Sequence, residues 1–282
     1  MENGYIYAFI LTLVAGLATG LGGVMIMVVK KFSPKVLSAA LGFSAGVMIL
    51  ISFVEMFPEA RESLSGQYGE KMGLFYALVT FFCGMGFIAL IDYLVPSEEN
   101  PHEVNDLTVE VHNKAVGISN EEKGSTGDNV KSNRKLLRVG LFSAIVIAIH
   151  NFPEGLATFV SAMDNITLGV SIAFAIALHN IPEGIAIAIP IYYATGSKVK
   201  AIRSATLSGL AEPIGGLVGF VLLSQLFHES VMGFVLAAVA GIMVYISLDE
   251  LLPTAENYGE HHVAIGGVVA GMAFIGFGLL IF

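Results

Sequence analysis

The chain of 282 residues has a single cysteine, Cys83, and little charge: 14 Lys and Arg against 23 Asp and Glu, 13% in all. A lone cysteine excludes an intrachain disulfide and a thiolate metal cluster. So small a charged fraction excludes an ordinary soluble domain, which carries about twice as much. Basic residues form no stripe and the net charge is −9, so nothing speaks for nucleic acid as a partner. The zinc-hydrolase signature His-Glu-x-x-His does not occur. No basic residue precedes the first apolar run, which is also too long for the core of a removable signal.

What the chain has instead is apolar surface and glycine. It is 55% hydrophobic, holds 32 Gly, and has a mean hydropathy of +0.77. Eight runs are long enough to span a bilayer: Tyr5–Val29, Val36–Phe57, Met72–Val95, Leu136–Val160, Leu168–Tyr193, Ala201–Leu226, Val231–Leu252 and Val263–Phe282. The expected fold is an all-α polytopic membrane protein. Twelve of the fourteen Lys and Arg fall in the odd-numbered loops, leaving Arg61 and Lys71 on the other side. By the positive-inside rule the odd loops are cytoplasmic and both termini lie outside. The segment from Pro96 to Asn133 is rich in Glu, Asn, Asp, Ser and Gly, and reads as a disordered cytoplasmic loop with His102 and His112 in a solvated linker. The expected organisation is 1–95 (runs 1–3), 96–135 (loop), 136–194 (runs 4 and 5) and 195–282 (runs 6–8).

Two runs carry the same polar phrase. His150-Asn151-Phe152-Pro153-Glu154-Gly155 lies in run 4 and His179-Asn180-Ile181-Pro182-Glu183-Gly184 in run 5. On a helix the His, the Asn and the Glu fall within about 100° of one another. Imidazole, amide oxygen and carboxylate are ligands that zinc and its first-row neighbours accept. Each proline removes a helical hydrogen bond, from the carbonyls of Ile149 and Leu178, and such backbone at membrane depth must face protein, water or an ion. A lone intramembrane His is more often a packed, hydrogen-bonded residue. Acidic groups facing lipid at a helix centre, however, cost roughly 2.5–3.5 kcal/mol each. Packing does not explain spelling the phrase twice, and the two phrases together read as a metal site.

Internal repeats set the expected architecture. Ala45-Gly46, Met48, Ile51-Ser52, Glu55, Pro58 and Ala60 recur as Ala240-Gly241, Met243, Ile246-Ser247, Glu250, Pro253 and Ala255, at an offset of 195. Gly16-Leu17-Ala18 and Gly22-Gly23 recur as Gly209-Leu210-Ala211 and Gly215-Gly216, at an offset of 193. Runs 1–3 thus match runs 6–8, and run 4 matches run 5. The copies cross in opposite senses, a 3+2+3 inverted repeat whose interface places substrate near mid-membrane. Thr19 aligns with Glu212, a third mid-membrane carboxylate followed by a proline, which reads as a further ligand. Glu55 and Glu59 at the outer end of run 2 and Asp249 and Glu250 at the inner end of run 7 are candidate pathway residues. Like Asp92, His261 and His262, they are also readable as charges at headgroup level.

The twin His-Asn-x-Pro-Glu-Gly motif on consecutive membrane helices resembles the ZIP family of divalent-metal transporters, over nearly the whole chain. That resemblance implies the 3+2+3 arrangement and two bridged metal positions. One would use His150, Glu154, His179 and Glu183; the other Asn151, Glu154, Asn180, Glu183 and Glu212. Some relatives have Asp where this chain has Asn180. It further implies a transporter, not an enzyme, that takes divalent metal into the cytosol by alternating exposure, helices 1, 4, 5 and 6 moving against 2, 3, 7 and 8. Zinc is the expected substrate, with iron, manganese, cobalt and cadmium tolerated, and no resident cofactor is expected. The partners are these ions and the lipid bilayer of a bacterial inner membrane; a homodimer is left open. The alternatives are a passive divalent-cation channel and, less favoured, a membrane-embedded metallohydrolase.

Overall fold

The computed structural model describes residues 2–27, 33–94, 126–226 and 229–280. Among these, eight helices are long and apolar enough to cross a membrane, and no strand occurs. α1 is Glu2–Met25. α2 runs Pro34–Ile51 and continues through a π turn, Ser52–Met56, into Phe57–Tyr68. α3 is Glu70–Leu94, α4 Thr126–Asp164 and α5 Ile166–Thr195. α6 has two pieces, Lys198–Gly209 and Ala211–Leu226. α7 runs Glu229–Ile246, a π turn Ser247–Leu251, and Leu252–Tyr258. α8 is His261–Gly278.

The eight helices answer to the eight apolar runs, with two differences. α4 begins at Thr126, inside the stretch expected to be loop. Its first three turns include Lys131, Arg134, Lys135 and Leu136, good helix formers, and no proline, so this polar stretch continues the helix. His102 and His112 lie outside the described residues. α2 continues past Phe57 to Tyr68, because Pro58 falls in the first turn of the piece after the π turn. Its missing N–H is harmless at that position.

The links beside the motif helices are short and specifically closed. Asn165 alone joins α4 to α5, its side chain accepting from Thr167 N (2.9 Å) and Leu168 N (3.4 Å), which satisfies two otherwise orphaned donors of a helix start. Gly196, at φ 66°, ends α5, and Ser197 caps α6 by accepting from Lys200 N (3.3 Å). At one end of the bundle Lys35 Nζ donates to Glu260 Oε1 (2.7 Å), tying the start of α2 to the start of α8. The ammonium holds the Glu260 carboxyl below its ordinary range.

Packing falls into two sets. α1, α4, α5 and α6 contact one another, principally as α1 on α5, α4 on α5 and α4 on α6; α8 packs on α2, and α3 and the end of α2 pack on α7. Contacts between the sets run mainly from α2 to α5. The sequence offsets reappear inside these pairings. A Cβ at Gly184 would meet the Thr19 carbonyl of α1, and one at Gly155 the Glu212 carbonyl of α6, residues 193 apart. Gly16 and Gly209, also 193 apart, face each other, so that a Cβ on either would run into the other's carbonyl. The π turns sit 195 apart. At the first position of each, a buried serine donates back to a methionine carbonyl, Ser52 to Met48 and Ser247 to Met243, both at 2.7 Å. A proline follows each, and the freed backbone bond together with serine back-bonding widens the turn.

Backbone-to-backbone contact at the α1–α6 crossing leaves no room for a side chain. Gly16→Val should therefore destabilise the protein by about 1–3 kcal/mol or more through overpacking. Gly266→Ala, where an added Cβ meets nothing within 4 Å, should be neutral or stabilise by up to about 1 kcal/mol. Thermal unfolding of the detergent-purified protein separates the two; equal midpoints would remove the crossing from the account.

Candidate metal-binding site

The two prolines do not break their helices. α4 runs on through Pro153 and α5 through Pro182, so each motif stays on one continuous helix and its His, Asn and Glu share a face. α4 and α5 pack along their length, and both polar faces turn into the bundle. His150, Asn151, Glu154, His179, Asn180, Glu183 and Glu212 are each at most 1% exposed.

The pairing between them is crossed. His150 Nε2 lies 3.2 Å from Glu183 Oε2, and His179 Nε2 lies 3.4 Å from Glu154 Oε2. Each imidazole of one helix thus meets the carboxylate of the other. The third carboxylate arrives from α6. That helix breaks at Leu210 and restarts at Ala211, placing Glu212 in the first turn of the new piece, where the helix dipole favours an anion. Asn180 Nδ2 donates to Glu212 Oε1 and to the Ala15 carbonyl of α1, the latter at 2.9 Å. Ser44 of α2 donates to the His179 carbonyl (3.0 Å), anchoring the second motif to the other helix set.

These bonds leave much of the site's hydrogen-bonding capacity unused. Without a partner are His150 Nδ1, His179 Nδ1, both amide atoms of Asn151, Asn180 Oδ1, Glu154 Oε1, Glu183 Oε1 and Glu212 Oε2. Buried polar groups are as a rule satisfied, and each orphan costs about 1–3 kcal/mol. So dense a group of orphaned donor atoms marks a place built for something other than its own side chains. Among the described residues, no three His, Cys, Asp or Glu side chains stand close enough together to hold a metal ion as they are. The carboxylates and imidazoles that would do so are spent on one another.

The structure thus brings together all seven residues expected at the site. The pathway candidates divide. Glu250 reaches the site, with Oε2 3.7 Å from His150 Nδ1. A cavity of about 30 Å³ lies there, lined by Asp92 of α3, His150 and Ile149 of α4, and Tyr245, Asp249 and Glu250 of α7. It is large enough for a water molecule or a cation. Glu55 lies in the π turn of α2 and Glu59 in the first turn after it, both half-buried, and neither has a contact with the seven site residues among the bonds described above. Sequence reasoning missed Ser44 and the Ala15 carbonyl, which support the motifs through backbone atoms that no motif spells out.

A family model described as ZIP zinc transporter matches residues 4–280. A protein named zinc transporter ZupT from Chlorobaculum parvum is 55% identical over 282 residues, the full length of both chains. Its namesake from Chlorobium chlorochromatii is also 55% identical over the full length of both. One from Clostridium perfringens is 53% identical over 280 residues, 99% of this chain and 97% of its own. With eight membrane-length helices and a family match over nearly every residue, this multi-pass membrane protein belongs to the ZIP zinc transporter family.

Proposed function

We propose that this protein takes up zinc, and with lower preference other divalent first-row metals and cadmium, into the cytosol through the site on α4, α5 and α6. The observation that carries the reading is the crossed His–Glu pairing inside an otherwise apolar bundle, with donor atoms left unpartnered on all seven residues. His150, Glu154, His179 and Glu183 form a two-imidazole, two-carboxylate set suited to tetrahedral zinc, reached when the crossed hydrogen bonds give way to the cation. Asn151, Asn180 and Glu212 join Glu154 and Glu183 around a second position. With no thiolate in the set, discrimination against Fe²⁺, Mn²⁺, Co²⁺ and Cd²⁺ is loose.

The helices form a 3+2+3 inverted repeat in this reading, and α1, α4, α5 and α6 move against α2, α3, α7 and α8. Support comes from the two packing sets and from the way residues 193 and 195 apart occupy corresponding contacts. The odd-numbered loops, with their excess of Lys and Arg, face the cytosol of a bacterial cell, both termini lie outside, and 96–135 is a cytosolic loop whose last residues enter α4. Asp92, Asp249 and Glu250 then lead from His150 to the cytosolic side, while Glu55 and Glu59 lie at the outer mouth. The membrane potential is a sufficient drive. A divalent cation gains roughly 4.6 kcal/mol per 100 mV of inside-negative potential, from about 2.3 per charge.

Radiolabelled zinc uptake into proteoliposomes is the primary test. Wild-type uptake should saturate, as a fixed site demands and an open channel does not. His150→Ala/His179→Ala should abolish it, and Glu212→Ala should reduce it while leaving high-affinity binding of one zinc in place. Persistent uptake in the double histidine variant would make the motifs structural. Protons compete for the same atoms, since a ligating His must be neutral and a ligating Glu ionised. Zinc affinity of the purified protein, measured calorimetrically, should fall steadily between about pH 7.5 and pH 5, across the ordinary histidine range near 6.5. A flat profile would count against imidazole ligation.

A further inference from the structure

The two directions leading away from the motifs differ in how their polar atoms are used. On the side of Asp92 and Glu250 a cavity already reaches His150. On the other side α4 continues from Glu154 to its end at Asp164, and two more polar residues lie on the way, Thr158 and Ser161. Both are buried, Thr158 and Ser161 each at 0% exposure, and neither hydroxyl has a hydrogen-bond partner in the protein.

A helical Ser or Thr has an easy remedy in donating to the carbonyl one turn back. This protein uses it at Ser52, Ser171, Thr195, Thr206 and Ser247. Thr158 and Ser161 leave it unused. Their position is not arbitrary either. At about 100° per residue, His150, Asn151, Glu154, Thr158 and Ser161 fall in one sector of α4 about 100° wide, and Asn151 to Ser161 covers about 15 Å of helix. The stripe ends beside Asp164, which lies within electrostatic reach of Glu59 on α2. α5 repeats the motif but not the stripe. The residues matching Thr158 and Ser161 at the motif offset of 29 are Ile187 and Pro190, both buried. The hydroxyls are thus a feature of the one helix whose far half leads to the acidic mouth.

We propose that Thr158 and Ser161 line the half of the translocation path that is closed in this structure, and that their oxygens pass a partly hydrated divalent cation from Glu59 and Asp164 to Asn151 and Glu154. The inference rests on the transport reading above. Neutral hydroxyls suit the task, because each offers lone pairs to a hard cation yet adds no charge that would trap it between mouth and site. In the closed conformation their hydrogen bonds are forgone; opening this half to water, or the passage of a cation, satisfies them.

Two variants test this, alongside wild type and His150→Ala/His179→Ala. In Thr158→Val/Ser161→Ala, the maximal zinc uptake rate should fall on the order of tenfold, while the thermal midpoint holds or rises because buried orphan hydroxyls have been removed. In Ser161→Cys, made in a Cys83→Ser background, a membrane-impermeant thiol reagent added outside cells should modify the introduced thiol and block uptake, and zinc should slow the modification. Unchanged uptake in the double variant overturns the proposal. So does an S161C variant that transports but never reacts, which also decides the matter should the double variant prove unstable. Because the histidine pair is measured in parallel, loss of the hydroxyl effect alone leaves the metal site standing, whereas uptake surviving in the histidine variant removes the site itself.

Discussion

Everything in the bundle's centre answers to the burial of carboxylates. Glu154, Glu183 and Glu212 are each removed from water in a protein whose surroundings are lipid tails and aliphatic side chains. A bare carboxylate is intolerable there unless a partner or a counter-ion meets it. The solution is shared among helices. α5 brings His179 to Glu154, α4 brings His150 to Glu183, and α5 again brings Asn180 to Glu212. No helix neutralises its own glutamate, so the site exists only when α4, α5 and α6 are assembled. Its stability is that of their packing.

That packing in turn depends on bare backbone. Gly155 and Gly184 follow the motif glutamates directly, and each lies against a neighbouring carbonyl that any side chain would displace. Close approach of this kind is how membrane helices associate without a hydrophobic gradient to drive them. Gly155 seats α4 against α6 and Gly184 seats α5 against α1, so a Cβ at Gly155 would push the Glu212 backbone away from the α4–α5 pair. α6 adds a device of its own, a break at Leu210 that presents Glu212 on a fresh helix start. α1, its counterpart by offset, is continuous and carries Thr19 at the matching place.

Much of this was legible in the sequence because a bilayer leaves few choices. Eight apolar runs became eight helices, and the twin motif, which named six of the seven buried residues, placed them on facing helices. Glu212 was legible through the mismatch with Thr19 in an otherwise close repeat. Other features were not. The motif suggests that a helix presents its His and Glu together, whereas the observed bonds join His150 to Glu183 and His179 to Glu154. That exchange depends on the relative height of two helices, which sequence does not encode locally. The start of α4 at Thr126 was masked by polar composition, since a helix outside lipid loses its apolar signature. Thr158 and Ser161 were invisible because single hydroxyls in apolar helices normally bond to their own backbone, and nothing in the sequence marks two that do not.

The single-residue link at Asn165 bears on how such a protein is made. A membrane helix that carries His150, Asn151 and Glu154 partitions poorly by itself, as does one that carries His179, Asn180 and Glu183. Joined by one capped residue, the two can fold against each other with the polar faces inward before either meets lipid. Their crossed bonds then conceal most of what a bilayer rejects. The hairpin, rather than the single helix, is the smallest portion of this region that a membrane accepts at low cost. In energetic terms α4 and α5 enter a bilayer more cheaply as a pair than one after the other.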